Sequence, residues 1–234
     1  NTAVGKDSLG NNTTGYDNTA TGKSAMAANT TGESNTAVGG GALDSNTTGI
    51  RNTAVGIAAL QNVTTANYNV AIGDRALYSS TGEDNTVVGG LAGYEVTSGQ
   101  NNFILGRDAG RANHPGGSVT TASNRIILGN QTSTNAYIKI DWTVTSDERD
   151  KMNFEEVPHG LSFVNDLQPV KFDFKKSRDN ATPHGKTKYG FKAQDILALE
   201  GDNPIIIDND NEDGLSITNS HLIPVLVKAI QELS

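Results

Sequence analysis

The sequence predicts a mainly β shaft of stacked short rungs, followed by an α/β domain that ends in a helix with coiled-coil-like spacing. Three observations carry this. The phrase Asn1-Thr2-Ala3-Val4-Gly5 returns at Asn18, Asn35, Asn52, Asn69, Asn85 and Asn102, at intervals of 17, 17, 17, 17, 16 and 17 residues. Composition then changes near residue 145: five of the six Phe and five of the six Pro lie after residue 150. Finally, Leu222, Leu226, Ala229 and Leu233 are spaced 4, 3, 4, with Ile223 and Ile230 seven apart. A unit of 17 residues cannot enclose a core of its own, so it must stack on its neighbours.

Each repeat has fixed parts. The apolar residues of the phrase (Val4, Val38, Val55, Ile72, Val88, Leu105) are expected to form a buried column on one side of short strands. The Gly that closes the phrase supplies positive φ or a close approach where the chain turns. Small and large residues follow as Ser8-Leu9, Ala25-Met26, Ala42-Leu43, Ala59-Leu60 and Ala76-Leu77, then Ala92-Gly93 and Ala109-Gly110; Ala at that corner keeps the section narrow. Asn-Thr-Thr-Gly starts at Asn12, Asn29 and Asn46 and degenerates to Val63-Thr64-Thr65 and Ser80-Thr81-Gly82. Asn at equivalent rungs can stack into amide ladders, and Thr suits strands. Units this short, rich in Gly and β-branched residues, disfavour a helical solenoid. The repeat region spans 1–112.

Residues 113–145 form a joint. His114-Pro115-Gly116-Gly117 breaks the period with turn formers. Asn124-Arg125-Ile126-Ile127-Leu128-Gly129 echoes the phrase after 22 residues and is expected to be a last capping rung. Ala136 to Trp142 alternates as a strand leading out, with Trp142 anchoring the joint by burial.

Residues 146–234 read as an α/β mixture. A short helix is expected over Val157–Leu167, a strand over Val170–Phe174, and a helix through Ile196 and Leu199 after Tyr189–Gln194. Pro204–Ile207 and Gly214–Ile217 read as strands joined by the acidic run Asp208–Asp213, a solvated tip without calcium-hand ligand order. The last segment fits a helix that meets copies of itself and equally a helix packed in a single-chain core; Pro224 is tolerated in its first turn.

Composition excludes several classes. Lys and Arg number 18 against 26 Asp and Glu, with no basic cluster, so nucleic acid is not an expected partner. With no Cys there is neither a disulfide framework nor a thiolate metal site. His114, His159, His184 and His221 lack ligand spacing, so neither metal nor cofactor is expected. No apolar run nears the roughly 18 residues of a membrane span. The first residue is Asn rather than Met, and the sequence is expected to be a portion of a longer protein.

Two resemblances sharpen this reading. Asn-Thr-Ala-Val-Gly followed by x-x-Ala-Leu resembles the head repeats of YadA-like trimeric adhesins and many phage tail-fibre shafts. That implies left-handed parallel β-rolls with three chains around a common axis, although the adhesin repeat is typically shorter. In the back half, Ser146-Asp147-x-Arg149-x-Lys151, Gly160-Leu161-x-Phe163 and Leu167-x-Pro169-Val170-x-Phe172 resemble the opening of the S74 family, the C-terminal intramolecular chaperones of endosialidases and tail fibres. Tyr189-Gly190-Phe191-x-Ala193-Gln194 and Leu222 to Leu233 resemble its later blocks.

The S74 resemblance implies a homotrimeric chaperone that folds and registers the shaft and then cuts itself off between Thr145 and Ser146. Ser146 is then the nucleophile and Lys151 the general base, with Asp147 orienting the turn and Arg149 helping to depress the lysine pKa. Thr145 through Glu148 also fits a plain helix capping box. The chain departs from the family at Asp150, where an apolar residue is usual; a carboxylate beside Lys151 opposes its role as base. The expected partners are two further copies of the chain and a host-surface receptor, with no membrane insertion. The expected location is a virion tail fibre. The alternatives are a bacterial surface adhesin and a structural fibre with an uncleaved trimerisation tip.

Overall fold

The computed structural model of the chain describes residues 1–111, 119–130, 132–133, 139, 146–177, 180–209 and 214–234. The His-Pro-Gly-Gly turn, the Ala136–Trp142 stretch apart from Lys139, and Thr145 lie outside these. Two compact units are present, Asn1–Thr132 and Ser133–Ser234.

The first unit is a β-solenoid. Three-residue strands β1 (Thr2–Val4), β2 (Thr19–Thr21), β3 (Thr36–Val38), β4 (Thr53–Val55), β5 (Val70–Ile72), β6 (Thr86–Val88), β7 (Phe103–Leu105) and β8 (Ile126–Leu128) form one parallel sheet in chain order. Equivalent residues of successive phrases pair, Thr36 with Thr53 and Ala37 with Ala54 for example. The single 16-residue interval falls at the Ser80-Thr81-Gly82 corner, one residue shorter than Val63-Thr64-Thr65-Ala66.

The burial of the phrase is the reverse of the sequence expectation. Val4, Val38, Ile72 and Leu105 face outward at 58, 39, 40 and 42% exposure, and Val55 and Val88 are half-buried. The buried column is the central residue: Ala20, Ala37, Ala54, Ala71, Val87 and Ile104, all fully buried, then Ile127. Strand side chains alternate between faces, so one buried position in a three-residue strand excludes both neighbours. The space between strand and opposite corner is narrow, and Ala fits it.

Residues at the opposite corner complete the core in the left-handed conformation: Met26, Leu43, Leu60 and Leu77 have φ of 50–53° and are fully buried. In the last two coils Gly93 and Gly110 take this place. The substitution compensates a change across the core. Where the strand residue grows from Ala to Val87 and Ile104, the facing side chain disappears; a Cβ on Gly93 would lie 3.4 Å from both Val87 methyls and from Leu77 Cδ1. Gly93→Leu alone is therefore expected to destabilise the solenoid by about 1–3 kcal/mol through overpacking. Adding Val87→Ala should recover most of that loss in thermal melts, because the pair then matches the coils before it.

Two amide ladders run through the coil. In the first, each Asn of the phrase accepts, through Oδ1, the backbone N–H of the residue one rung on, at 2.8–3.1 Å from Asn1 through Asn102. Each Nδ2 donates to a carbonyl of the corner beside it, such as Gly32, Gly49 or Gly99, at 2.7–3.0 Å. The ladder ends on Arg125 N–H, which corrects the register of the capping rung. Phe103 pairs with Ile126, so Arg125 occupies the Asn place and Asn124 the left-handed place before it, with φ 60°. Counting back from Gly129 rather than forward from Asn124 gives this alignment.

The second ladder is short. Asn29 Nδ2 donates to Asn12 Oδ1 at 2.7 Å and Asn46 Nδ2 to Asn29 Oδ1 at 2.8 Å. Val63 follows, and the buried Asn46 Oδ1 has no partner. A buried acceptor left unmet costs roughly 1–3 kcal/mol. Val63→Asn places a donor beneath it and is expected to raise stability by about 1 kcal/mol. An unchanged or lower melting temperature would count against the ladder as a source of stability.

In the second unit, α1 (Leu161–Asp166) is shorter than the helix expected from Val157, and β9 (Val170–Ser177) is longer than expected. It pairs antiparallel with β10 (Asn180–Gly190), which the sequence did not reveal. α2 (Ala193–Glu200) follows, and β11 (Ile207–Asp208) and β12 (Ser216–Ile217) form the small hairpin around the acidic run, of which 210–213 lie outside the described residues. α3 (Leu222–Glu232) closes the chain. The core comprises Phe163, Ile196, Ile206, Ile207, Leu222 and Val225, with Val157, Leu167 and Phe191 packed on it. Glu200, at the end of α2, accepts the N–H groups of Ile205, Ile206 and Ile207 at 2.8–3.0 Å. Glu232 accepts the Leu161 N–H at 2.6 Å, so the end of α3 caps the start of α1. A Cβ at Gly160 would meet the Glu232 carboxylate, so a larger residue there would displace this cap.

Candidate functional site

Ser146 and Lys151 lie five residues apart and cannot share a helix face. A single 3-10 turn, Glu148–Asp150, brings them together. Its tighter winding advances the chain by one turn in three residues, and Lys151 then leaves in extended conformation. Lys151 Nζ lies 2.6 Å from Ser146 Oγ and donates to it. Both side chains are exposed in the single chain.

The turn is held by a clasp. Asp147 caps it, one carboxylate oxygen accepting the Arg149 N–H at 2.9 Å. The Arg149 guanidinium closes on the same carboxylate through Nε at 3.0 Å and Nη2 at 2.6 Å. The side chain and then the backbone N–H of Arg149 hold the Asp147 carboxyl below its usual range. A depressed carboxylate pKa means the clasp contributes fully above the ordinary carboxylate range and is lost as pH falls through the lowered value. The cap of this turn is Asp147, and the Thr145 of the capping-box reading lies outside the described residues. Arg149 is turned onto Asp147, and its charge is matched there rather than directed at Lys151. Asp150, beside the lysine, has no ion pair among the described residues. Thr145, which carries the carbonyl to be attacked, lies outside the described residues.

Beyond the turn Met152 and Phe154 are exposed at 78 and 66%, with Asn153 between them in the left-handed conformation at φ 55°. α3 has apolar residues on two faces. Leu222, Val225 and Ala229 are buried; Ile223, Leu226, Val227, Ile230 and Leu233 are exposed. The seam read from sequence therefore divides, Leu222 and Ala229 turning inward and Leu226 and Leu233 joining Ile223 and Ile230 on the free face. That face has spacing 3, 4, 3, which is the spacing of a coiled-coil seam.

A parallel β-solenoid precedes a small α/β unit that opens on a serine–lysine pair and ends on a helix with an unpartnered apolar face. Residues 146–202 match the Peptidase S74 family, the chaperone of endosialidase. The match runs from the serine through α2 and ends before α3. The segment is thus similar to the S74-type chaperone of endosialidase, and a shaft of repeats precedes it in the chain. No curated protein and no solved structure matches the chain.

Proposed function

We propose that the chain is part of a homotrimeric fibre, a phage tail fibre or spike carried on the virion, whose C-terminal domain assembles and registers the shaft and then releases itself by cutting between Thr145 and Ser146. The observation that carries the self-processing step is the 2.6 Å contact of Lys151 Nζ with Ser146 Oγ at the first residue of the matched segment. Ser146 Oγ attacks the Thr145 carbonyl carbon and gives up its proton to Lys151. The Thr145–Ser146 amide bond breaks as the ester forms, and the proton passes to the Ser146 nitrogen. Water then hydrolyses the ester, freeing the shaft carboxylate and the serine hydroxyl. A lysine at its ordinary pKa of about 10.4 is protonated at neutral pH. Burial by neighbouring copies would lower that pKa, which ties the cut to assembly.

Self-association is supported by surfaces with no cover in a single chain. The free face of α3 is one. The outward stripe of the solenoid is another, and it grows more apolar along the chain, from Thr19 and Thr21 to Phe103, Leu105, Ile126 and Leu128. Identical rungs also make a chaperone necessary, because coils of one pitch can mispair by a whole unit at little energetic cost. A terminal domain that fixes three copies in register removes that error before the shaft closes. Sedimentation equilibrium tests the assembly: three copies are expected, and a stable folded monomer at micromolar concentration would overturn the proposal.

A further inference from the structure

Charge in the second unit is unevenly placed. Among the described residues the β9–β10 hairpin carries Lys171, Lys175, Lys176, Lys186 and Lys188 against Asp173 alone. The rest of residues 146–234 carries eleven described carboxylates against Arg149, Lys151, Lys192 and Lys228. Lys171, Lys175, Lys176 and Lys186 make no ion pair among the described residues, nor do Glu148, Asp150, Glu155, Asp166 and Asp202. Unlike charges therefore sit on two parts of one unit without meeting.

The hairpin is also unsupported. None of its residues belongs to the apolar core of the unit. Phe172 stands opposite Lys188 and Phe174 opposite His184, with the two rings edge to face at 5.1 Å and Lys188 Nζ 5.4 Å from the Phe174 ring. Phe174 and Tyr189 are 52 and 86% exposed. A two-stranded ribbon by itself is marginal in water, and this one keeps Phe174, Tyr189 and its lysines at the surface.

We infer that the hairpin of one copy docks on the acidic body of a second copy, so that its lysines meet the unpaired carboxylates there. This rests on the self-association proposed above. The hairpin contributes no residue to the core of its own body, which leaves a neighbour's body as the complementary surface. The shaft is a poorer fit: over residues 1–132 it carries seven cationic side chains against nine acidic ones, and Asp7, Asp74, Glu95 and Asp108 are already paired. Charged contacts of this kind fix which surfaces meet, and exposed ones weaken with salt.

The test uses the full chain with Ser146→Ala, so that the domain stays attached, and reads association by sedimentation velocity from 50 to 500 mM salt. The Ser146→Ala chain is expected to weaken on the order of tenfold across that range. Reversing the hairpin with Lys175→Glu, Lys176→Glu and Lys186→Glu is expected to weaken association on the order of 100-fold at low salt. Adding Glu155→Lys, Asp166→Lys and Asp202→Lys to the reversed chain should restore it to within about tenfold, since the two sets are again opposite. If the hairpin reversal leaves association and its salt dependence unchanged, or if the swapped chain does not recover, hairpin docking is overturned while self-association stands. A parent that is monomeric at every salt concentration overturns both.

Discussion

Ser146→Ala is expected to leave one band of 234 residues on a denaturing gel under conditions where the unaltered chain should yield pieces of 145 and 89 residues. The loss should be complete, since without the hydroxyl no ester forms. Lys151→Gln keeps the nucleophile and removes the base, and should slow the cut by about 10²–10⁴-fold. Because a charged lysine must lose its proton, cleavage should also fall on dilution below the point where copies separate. Asp150→Leu puts an apolar residue directly before Lys151 and is expected to accelerate the cut. An intact product from unaltered, fully assembled chain would remove the protease and leave the chaperone.

Gly73→Ala is expected to cost the solenoid about 4 kcal/mol, against no more than about 0.5 kcal/mol for Gly90→Ala in the following coil. Gly73 has φ of +136°, outside the range open to an L side chain, and an added Cβ would lie 2.6 Å from both the carbonyl carbon and oxygen of Gly89 in the next rung. The rungs must separate or the backbone must change region. Either move breaks the parallel bonds around it, including Gly89 N–H to Ile72 O at 2.7 Å. At Gly90 a Cβ meets nothing within 4 Å. Equal melting of the two variants would show that the stacked glycine column is not what sets the rung spacing.

The stacking was legible because the period is carried by several residues at once: Asn, Gly and the small corner residue each mark the same 17-residue step. Which face lies inside was not read correctly, because apolar character pointed to Val while geometry selects the middle of the strand. The signal was present in the alternation itself. Thr and Val of the phrase share one face, and Asn and Ala share the other, so the Asn ladder and the Ala column had to be buried together. Arg125 was misread because its rung follows an insertion between Arg111 and Val119, and only Gly129 preserves the register. Thr182-Pro183-His184-Gly185 concealed β10, since Pro and Gly read as turn formers although both sit in the exposed ribbon. At the candidate site the residues were named from sequence, but the 3-10 turn and its Asp147–Arg149 clasp needed three-dimensional structure. The spacing on α3 contained two faces superposed, and periodicity alone cannot assign which one a neighbour covers.

The equal step between coils makes shaft length countable. Each added 17-residue phrase lengthens the sheet by one strand spacing, about 4.8 Å, without altering the coils on either side. Reach therefore changes in fixed increments, and a duplicated or deleted phrase is tolerated wherever its borders match. Borders do not match everywhere. A phrase copied from the Asn12–Asn46 stretch will seat beside its kin, but one moved across the Asn46–Val63 junction or past Gly93 meets the wrong partner or the wrong volume. The shaft is a ruler whose divisions are uniform but whose segments are keyed.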